Sequence, residues 1–220
     1  SRAPLRLNPP PQPSTMRLGV FGGSFAPVHN GHLGLARRAI EHARLDAVWF
    51  VPAATQPHKP RGPVASNEDR LAMLRLALAD EPRREASSIE ADRGGVSYTV
   101  DTLREIAARR PEDELFFLMG ADTLRDLPLW REPREVLALA TPLVIARDGD
   151  PGPDFDTLAS RSTAERLVAM RTMHVRSPPM AVSSSELRER TARGDAVADA
   201  ISPHVEQWIR QQGLYGSESH

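Results

Sequence analysis

Short apolar runs alternate with amphipathic stretches along this chain. Arg17 to Phe21 forms a compact apolar run, and Leu33, Ala36, Ile40 and Ala43 follow at helical spacing. Ala47 to Val51, rich in valine and aromatic side chains, predicts a second strand that Pro52 ends. A polar, proline-punctuated loop runs from Ala53 to Ser66. Ser66 opens a helix with acidic residues in its first turn and Leu71, Leu74 and Leu78 on one face. A weak third strand is expected over 86–91, then a turn at Gly94-Gly95 and a helix carrying Val100, Leu103, Ile106 and Ala107. Leu115 to Met119 is the strongest candidate for a buried strand, and Gly120-Ala121-Asp122 turns out of it. Leu127 to Trp130 breaks the chain before a helix over about 132–139, and Pro142 to Ala146 reads as another buried strand. A loop and helix to about Arg171 and a short strand over 173–176 follow. A helix capped by Ser183-Ser184-Ser185 comes next, and a last helix runs from Pro203 to Gln211.

Strands alternating with helical patterns imply βαβ units and a parallel sheet. The expected fold is a Rossmann-like, doubly wound α/β sheet with a small helical C-terminal portion over about 180–216. The whole would form one domain spanning 16–216. In such sheets ligands sit beyond the carboxyl ends of the strands, so the turns after strands one, two, four and five should face one crevice. Pro4, Pro9, Pro10, Pro11 and Pro13 make residues 1–15 an expected disordered leader, with Met16 a candidate natural start.

Composition narrows the partners. Charged residues make up 26% and the formal net charge is -1, so nothing points to a nucleic-acid polymer or a membrane surface. The absence of cysteine excludes disulfides, thiolate metal sites and cysteine nucleophiles. No apolar stretch approaches the length of a membrane span, and the expected location is cytoplasmic.

The chemistry gathers where the first strand meets the first helix. Gly22-Gly23-Ser24-Phe25-Ala26-Pro27 is a glycine turn leading to His29-Asn30-Gly31-His32. A strand that leaves through such a turn into a helix N-terminus is a common phosphate cradle, because unpaired N–H groups and the helix dipole face the ligand. His29 and His32 are three apart, on one face of the first turn. Helix capping and metal ligation are the other uses of that pair. The segment is neither GxGxxG nor GxxxxGK[ST], which sets aside the dinucleotide fingerprint and the Walker A loop. No Ser–His–Asp constellation and no metal site built from protein ligands alone is evident.

Gly22 to His32 resembles the GGTFDPxHxGH signature of the nucleotidyltransferase superfamily. Further segments in order resemble its bacterial nicotinate-nucleotide adenylyltransferase family: His58-Lys59, Ser97-Tyr98-Thr99-Val100-Asp101-Thr102-Leu103, Gly120-Ala121-Asp122, Leu127-Pro128-Leu129-Trp130 and Ser183-Ser184-Ser185-Glu186-Leu187-Arg188. The resemblance implies transfer of AMP from ATP to the phosphate of nicotinate mononucleotide, giving deamido-NAD and pyrophosphate in NAD biosynthesis. It implies catalytic roles for His29, His32 and Arg188, and ATP contacts from Gly22, Gly23, Ser24, Phe25, Gly120, Asp122, Arg147 and Ser184. Lys59, Ser97, Tyr98, Thr99 and Trp130 would bind the acceptor, with Lys59 at its phosphate and Trp130 stacked on the pyridine ring. Mg2+ would arrive held mainly by ATP phosphates and water.

Three positions depart from the pattern: Ala26 stands for an aspartate, Ser185 for a threonine and Gln56 for a proline. Loss of that aspartate predicts a looser turn. Rival readings are the same transfer to nicotinamide mononucleotide or phosphopantetheine, and a nucleotide-binding sensor without catalysis. An oligomer is compatible with all of them.

Overall fold

A computed structural model describes residues 15–55, 65–149, 152–178 and 182–216. Six strands form one parallel sheet: β1 (Arg17–Gly23), β2 (Ala47–Pro52), β3 (Arg84–Ala86), β4 (Glu114–Gly120), β5 (Thr141–Arg147) and β6 (Val175–Ser177). Their order is β3-β2-β1-β4-β5-β6, the doubly wound arrangement that the alternating pattern predicts. The helices are α1 (Asn30–Ala43), α2 (Asn67–Ala77), α3 (Ile89–Arg93), α4 (Thr99–Arg109), α5 (Ala121–Asp126), α6 (Pro133–Leu139), α7 (Ala164–Met173), α8 (Ser184–Ala192) and α9 (Pro203–Gln211).

Strand periodicity divides the core between the two sheet faces. Phe21, Phe50, Phe116, Leu118 and Ile145 join Ala36 and Ile40 of α1, Leu74 of α2 and Ile209 of α9 on one side. Leu18, Val20, Leu115, Phe117 and Met119 join Val100, Leu103 and Ile106 of α4 and Met170 of α7 on the other. β1 lies between β2 and β4, in register Val20↔Trp49 and Val20↔Phe117. Its carboxyl end therefore opens where the winding of the sheet reverses.

Two boundaries differ from the sequence expectation. The third strand is Arg84–Ala86, and the second half of the 86–91 stretch assigned to it belongs to the helix α3. Glu90 explains the change: its Oε1 accepts a 2.6 Å hydrogen bond from Thr102 of α4, which holds α3 against that helix. The last strand is Val175–Ser177, and Met173 ends α7 instead.

Candidate active site

Gly22 and Gly23 finish β1, and the chain then turns sharply. Phe25 adopts a left-handed backbone (φ 47) and buries its ring completely. It packs edge-on against Phe21 at 5.5 Å and against His32 at 5.0 Å. A Cβ at Gly23 would lie 3.0 Å from that ring, so the close approach favours glycine.

Helices distant in the chain hold the turn through its carbonyl oxygens. Arg70 of α2, with no exposed surface, donates to the carbonyl of Ser24 at 3.0 Å and to that of Ala53, just past β2, at 2.8 Å. Arg188 donates to the carbonyl of Ala26 at 2.8 Å, and the Ser184 hydroxyl donates to that of Pro27 at 2.9 Å. Backbone acceptors buried in this way require partners, and here side chains supply them. At Ala26 the alanine is 2% exposed and its carbonyl is bound by Arg188. α9 backs the assembly, with Trp208 Nε1 donating to Asp69 Oδ1 of α2 at 3.3 Å.

His29 is the N-cap of α1 and His32 its third residue. The His29 backbone N–H donates to His32 Nδ1 at 3.3 Å. In a neutral imidazole that acceptor role assigns the ring proton to Nε2, leaving an outward donor. The two rings lie 3.8 Å apart. Burial lowers the pKa of His29 to about 4; burial and then the neighbouring His29 lower that of His32 to about 3. Both are neutral donors at pH 7.

Two cavities meet over the carboxyl ends of the strands, sharing Phe21, Met119 and Gly120. The larger, about 780 Å³, is lined by Gly22, Gly23, Ser97, Tyr98, Thr99 and Trp130 among others. The smaller, about 590 Å³, is lined by His32, Gly120, Asp122, Arg125, Asp154 and Ser177 among others. The expected common crevice thus forms at the ends of β1, β2, β4 and β5: Ala53 lines the larger cavity, and Ile145 and the 152–154 segment after β5 line the smaller, where Ser177 of β6 joins them.

Most of the residues singled out from sequence converge here. Gly22, Gly23, Ser24, His29, His32, Ser184 and Arg188 cluster about the turn, while the acceptor candidates Ser97, Tyr98, Thr99 and Trp130 share the larger cavity. Trp130 meets Phe117 edge-on at 5.8 Å, and Ser97 Oγ accepts from Ala54 N at 2.9 Å. Asp122 is exposed, and its Oδ1 accepts from Thr123 N at 2.9 Å. A Cβ at Gly120 would come within 2.4 Å of that same oxygen. Phe25 is corrected: a fully buried ring stands behind the histidines and offers a ligand only the backbone of its turn. Arg147 ends β5 in register with Ser177. His58 and Lys59 lie outside the described residues.

Sequence reasoning missed Arg70 and Glu90. Arg70 had a signal, since it falls on the apolar face of α2 beside Leu71 and Leu74. A charge placed there must meet polar groups inside the fold. Glu90, 7% exposed in the wall of the larger cavity, was hidden by the misread third strand.

Comparison with known proteins agrees with this geometry. The cytidylyltransferase-like family profile matches residues 20–190. A Synechococcus sp. (strain JA-3-3Ab) protein named "Probable nicotinate-nucleotide adenylyltransferase" is 40% identical over 94% of this chain and 98% of its own. A Thermus thermophilus protein of the same name is 43% identical over 91% of this chain and 100% of its own. The structure of Plasmodium falciparum nicotinic acid mononucleotide adenylyltransferase complexed with NaAD superposes with a TM-score of 0.69 at 17% identity. That match covers 91% of this chain and 97% of the other.

Proposed function

Because the chain belongs to the cytidylyltransferase-like family, and within it to the nicotinate-nucleotide adenylyltransferases, we propose that it joins ATP to nicotinate mononucleotide in NAD biosynthesis. The observation that carries this reading is the pair of cavities meeting at the β1 turn, one reached by His32 and the other by Trp130 and Tyr98. A two-substrate condensation needs two adjoining sites with phosphate donors at their junction.

In the reaction, a phosphate oxygen of nicotinate mononucleotide attacks the α-phosphorus of ATP. The new P–O bond completes deamido-NAD, and the bond to the β-phosphate oxygen breaks, releasing pyrophosphate. The nucleophile is already an anion and needs no general base, so catalysis is positioning plus stabilisation of charge. The Nε2–H of His32 donates to the α-phosphate, with His29 beside it in the first turn of α1. Neutral imidazoles suit the task, since they donate without trapping the product by charge. Ser184 and Arg188 take the β- and γ-phosphates, exchanging part of their hold on the carbonyls of Pro27 and Ala26 for the ligand. Magnesium would be held by the ATP phosphates and water and would neutralise phosphate charge there. Gly22, Gly23, Ser24 and the Phe25 backbone form the turn that receives the phosphates, while Gly120, Asp122 and Arg147 lie toward the rest of ATP. Trp130 stacks on the pyridine ring, Ser97, Tyr98 and Thr99 receive its substituent, and Lys59 is assigned to the acceptor phosphate on sequence alone. Residues 16–216 act as one nucleotidyltransferase domain.

Purified protein given ATP and nicotinate mononucleotide should release pyrophosphate in step with deamido-NAD. ATP binding without turnover would favour the sensor reading, and faster turnover of nicotinamide mononucleotide or phosphopantetheine would reassign the acceptor. Among the described residues no helix is long and apolar enough to cross a membrane, and we place the enzyme in the cytoplasm.

A further inference from the structure

One buried polar group behind the β1 turn has no part in the mechanism above. Tyr215, which follows α9, is 7% exposed and belongs to the core that holds Phe25 and Val28 of the turn and Leu187 of α8. It carries two local costs. Its backbone is left-handed (φ 61), a conformation that a bulky residue keeps only where its surroundings impose it. Its hydroxyl is buried and has no hydrogen-bond partner among the described residues. Phenylalanine has the same shape without that second cost. Burial pushes the phenol's pKa up, while the cations of Arg188 and then Arg70 pull it back. Of the ionisable groups acting on Arg70, Tyr215 acts most strongly. These are the two arginines that clamp the turn, and they differ in freedom. Arg70 is fully buried and holds the carbonyls of Ser24 and Ala53. Arg188 is half-buried, with Nη1 on the carbonyl of Ala26 at 2.8 Å and Nη2 on the Ser185 hydroxyl at 3.0 Å.

We propose that Tyr215 is a positioning residue for ATP: its hydroxyl accepts an N–H from Arg188 when that guanidinium gives up the Ala26 carbonyl for the β- and γ-phosphates. A phenol oxygen in this place lets the arginine turn toward the ligand without stranding a donor on the protein side. The hydroxyl's cost then falls on the free enzyme and its gain on the complex. This assignment rests on Arg188 binding the triphosphate end of ATP, as proposed above.

Calorimetry with ATP and with AMP, on wild type, Tyr215→Phe, Arg188→Gln and the double variant, tests it. Tyr215→Phe should weaken ATP binding about 5- to 20-fold and leave AMP, which lacks the β- and γ-phosphates, within about twofold. Its urea midpoint should equal or exceed that of wild type, since the hydroxyl removed has no partner in the free protein. In the Arg188→Gln background the same change should cost ATP binding nothing further. Unaltered ATP affinity in Tyr215→Phe, or an equal loss for ATP and AMP, would overturn the assignment. So would a loss that persists without Arg188, which would hand the hydroxyl to Arg70. A lower urea midpoint would mean a hydroxyl already bonded in the free enzyme and would overturn it as well. Pyrophosphate release keeps this proposal apart from the reaction: a wild type that binds ATP but adenylylates no acceptor overturns the reaction, while the affinities still decide the role of Tyr215.

Discussion

At the β1 turn the polar side chains are committed to backbone carbonyls, whereas on the rim of the larger cavity Arg131 has only long contacts, although Ser97 and Glu90 in its wall are closely hydrogen-bonded. Arg70, Ser184 and Arg188 each grip a carbonyl at 3.0 Å or less, and Phe25 fills the space beneath. Across the shared wall, Arg131 has partners no nearer than 3.5 Å. The first region is fixed by hydrogen bonds within the protein, and the rim of the second is held by longer contacts. Preorganised donors suit the reacting phosphate, where misplacement costs rate. Adaptable side chains suit discrimination between acceptors, where what matters is a difference in affinity.

The sharpest break in this contrast is His32→Ala. Loss of a preorganised donor at the reacting phosphorus should lower kcat by about 100- to 1,000-fold while the acceptor KM stays nearly constant. Pyrophosphate release under saturating substrates measures it, and a normal kcat would remove His32 from the chemistry. Next comes Arg70→Met, which strands the carbonyls of Ser24 and Ala53. We expect a loss of about 3 kcal/mol in stability, read from urea unfolding. Residual activity after this change would decline before the fold does, because the turn loosens first.

Trp130→Ala addresses the adaptable side. It should raise KM for the pyridine nucleotide about tenfold and leave KM for ATP unchanged, an outcome opposite to that of His32→Ala. A parallel rise in both constants would mean that Trp130 supports the fold instead.

The smallest expected effect is that of pH on the turn. The histidine pKa values fall on folding, from the ordinary 6.5 to about 4 for His29 and about 3 for His32. Above pH 6.5 neither the folded nor the unfolded chain is protonated at these sites, and they exert no drag. Below it the unfolded chain takes up protons that the folded chain refuses, so stability declines as pH falls from 6.5 toward 4. For His29 the slope is about 1 kcal/mol per pH unit. Urea midpoints at pH 7 and 5.5 should differ accordingly, and His29→Gln should remove about half of the difference, the rest coming from His32.

What the sequence revealed follows the same divide. Short apolar runs and helical spacing predicted the sheet and the crevice, since burial on both sheet faces enforces the first and burial of one helix face the second. Gly22 to His32 is contiguous, so the turn could be read as a unit. Arg70 and Glu90 escaped because their meaning depends on tertiary partners, Ser24 and Ala53 for one and Thr102 for the other.

The clamp on the turn also sets a schedule for biosynthesis. Arg188 and Ala26 are 162 residues apart. At ribosomal speeds of roughly 5–20 residues per second, the glycine turn waits about 8–30 s for the side chain that completes it. Throughout that interval the nascent chain carries the whole histidine signature but lacks two of its clamps. The clamp is therefore complete only when α8 has emerged and packed onto the first strand's end.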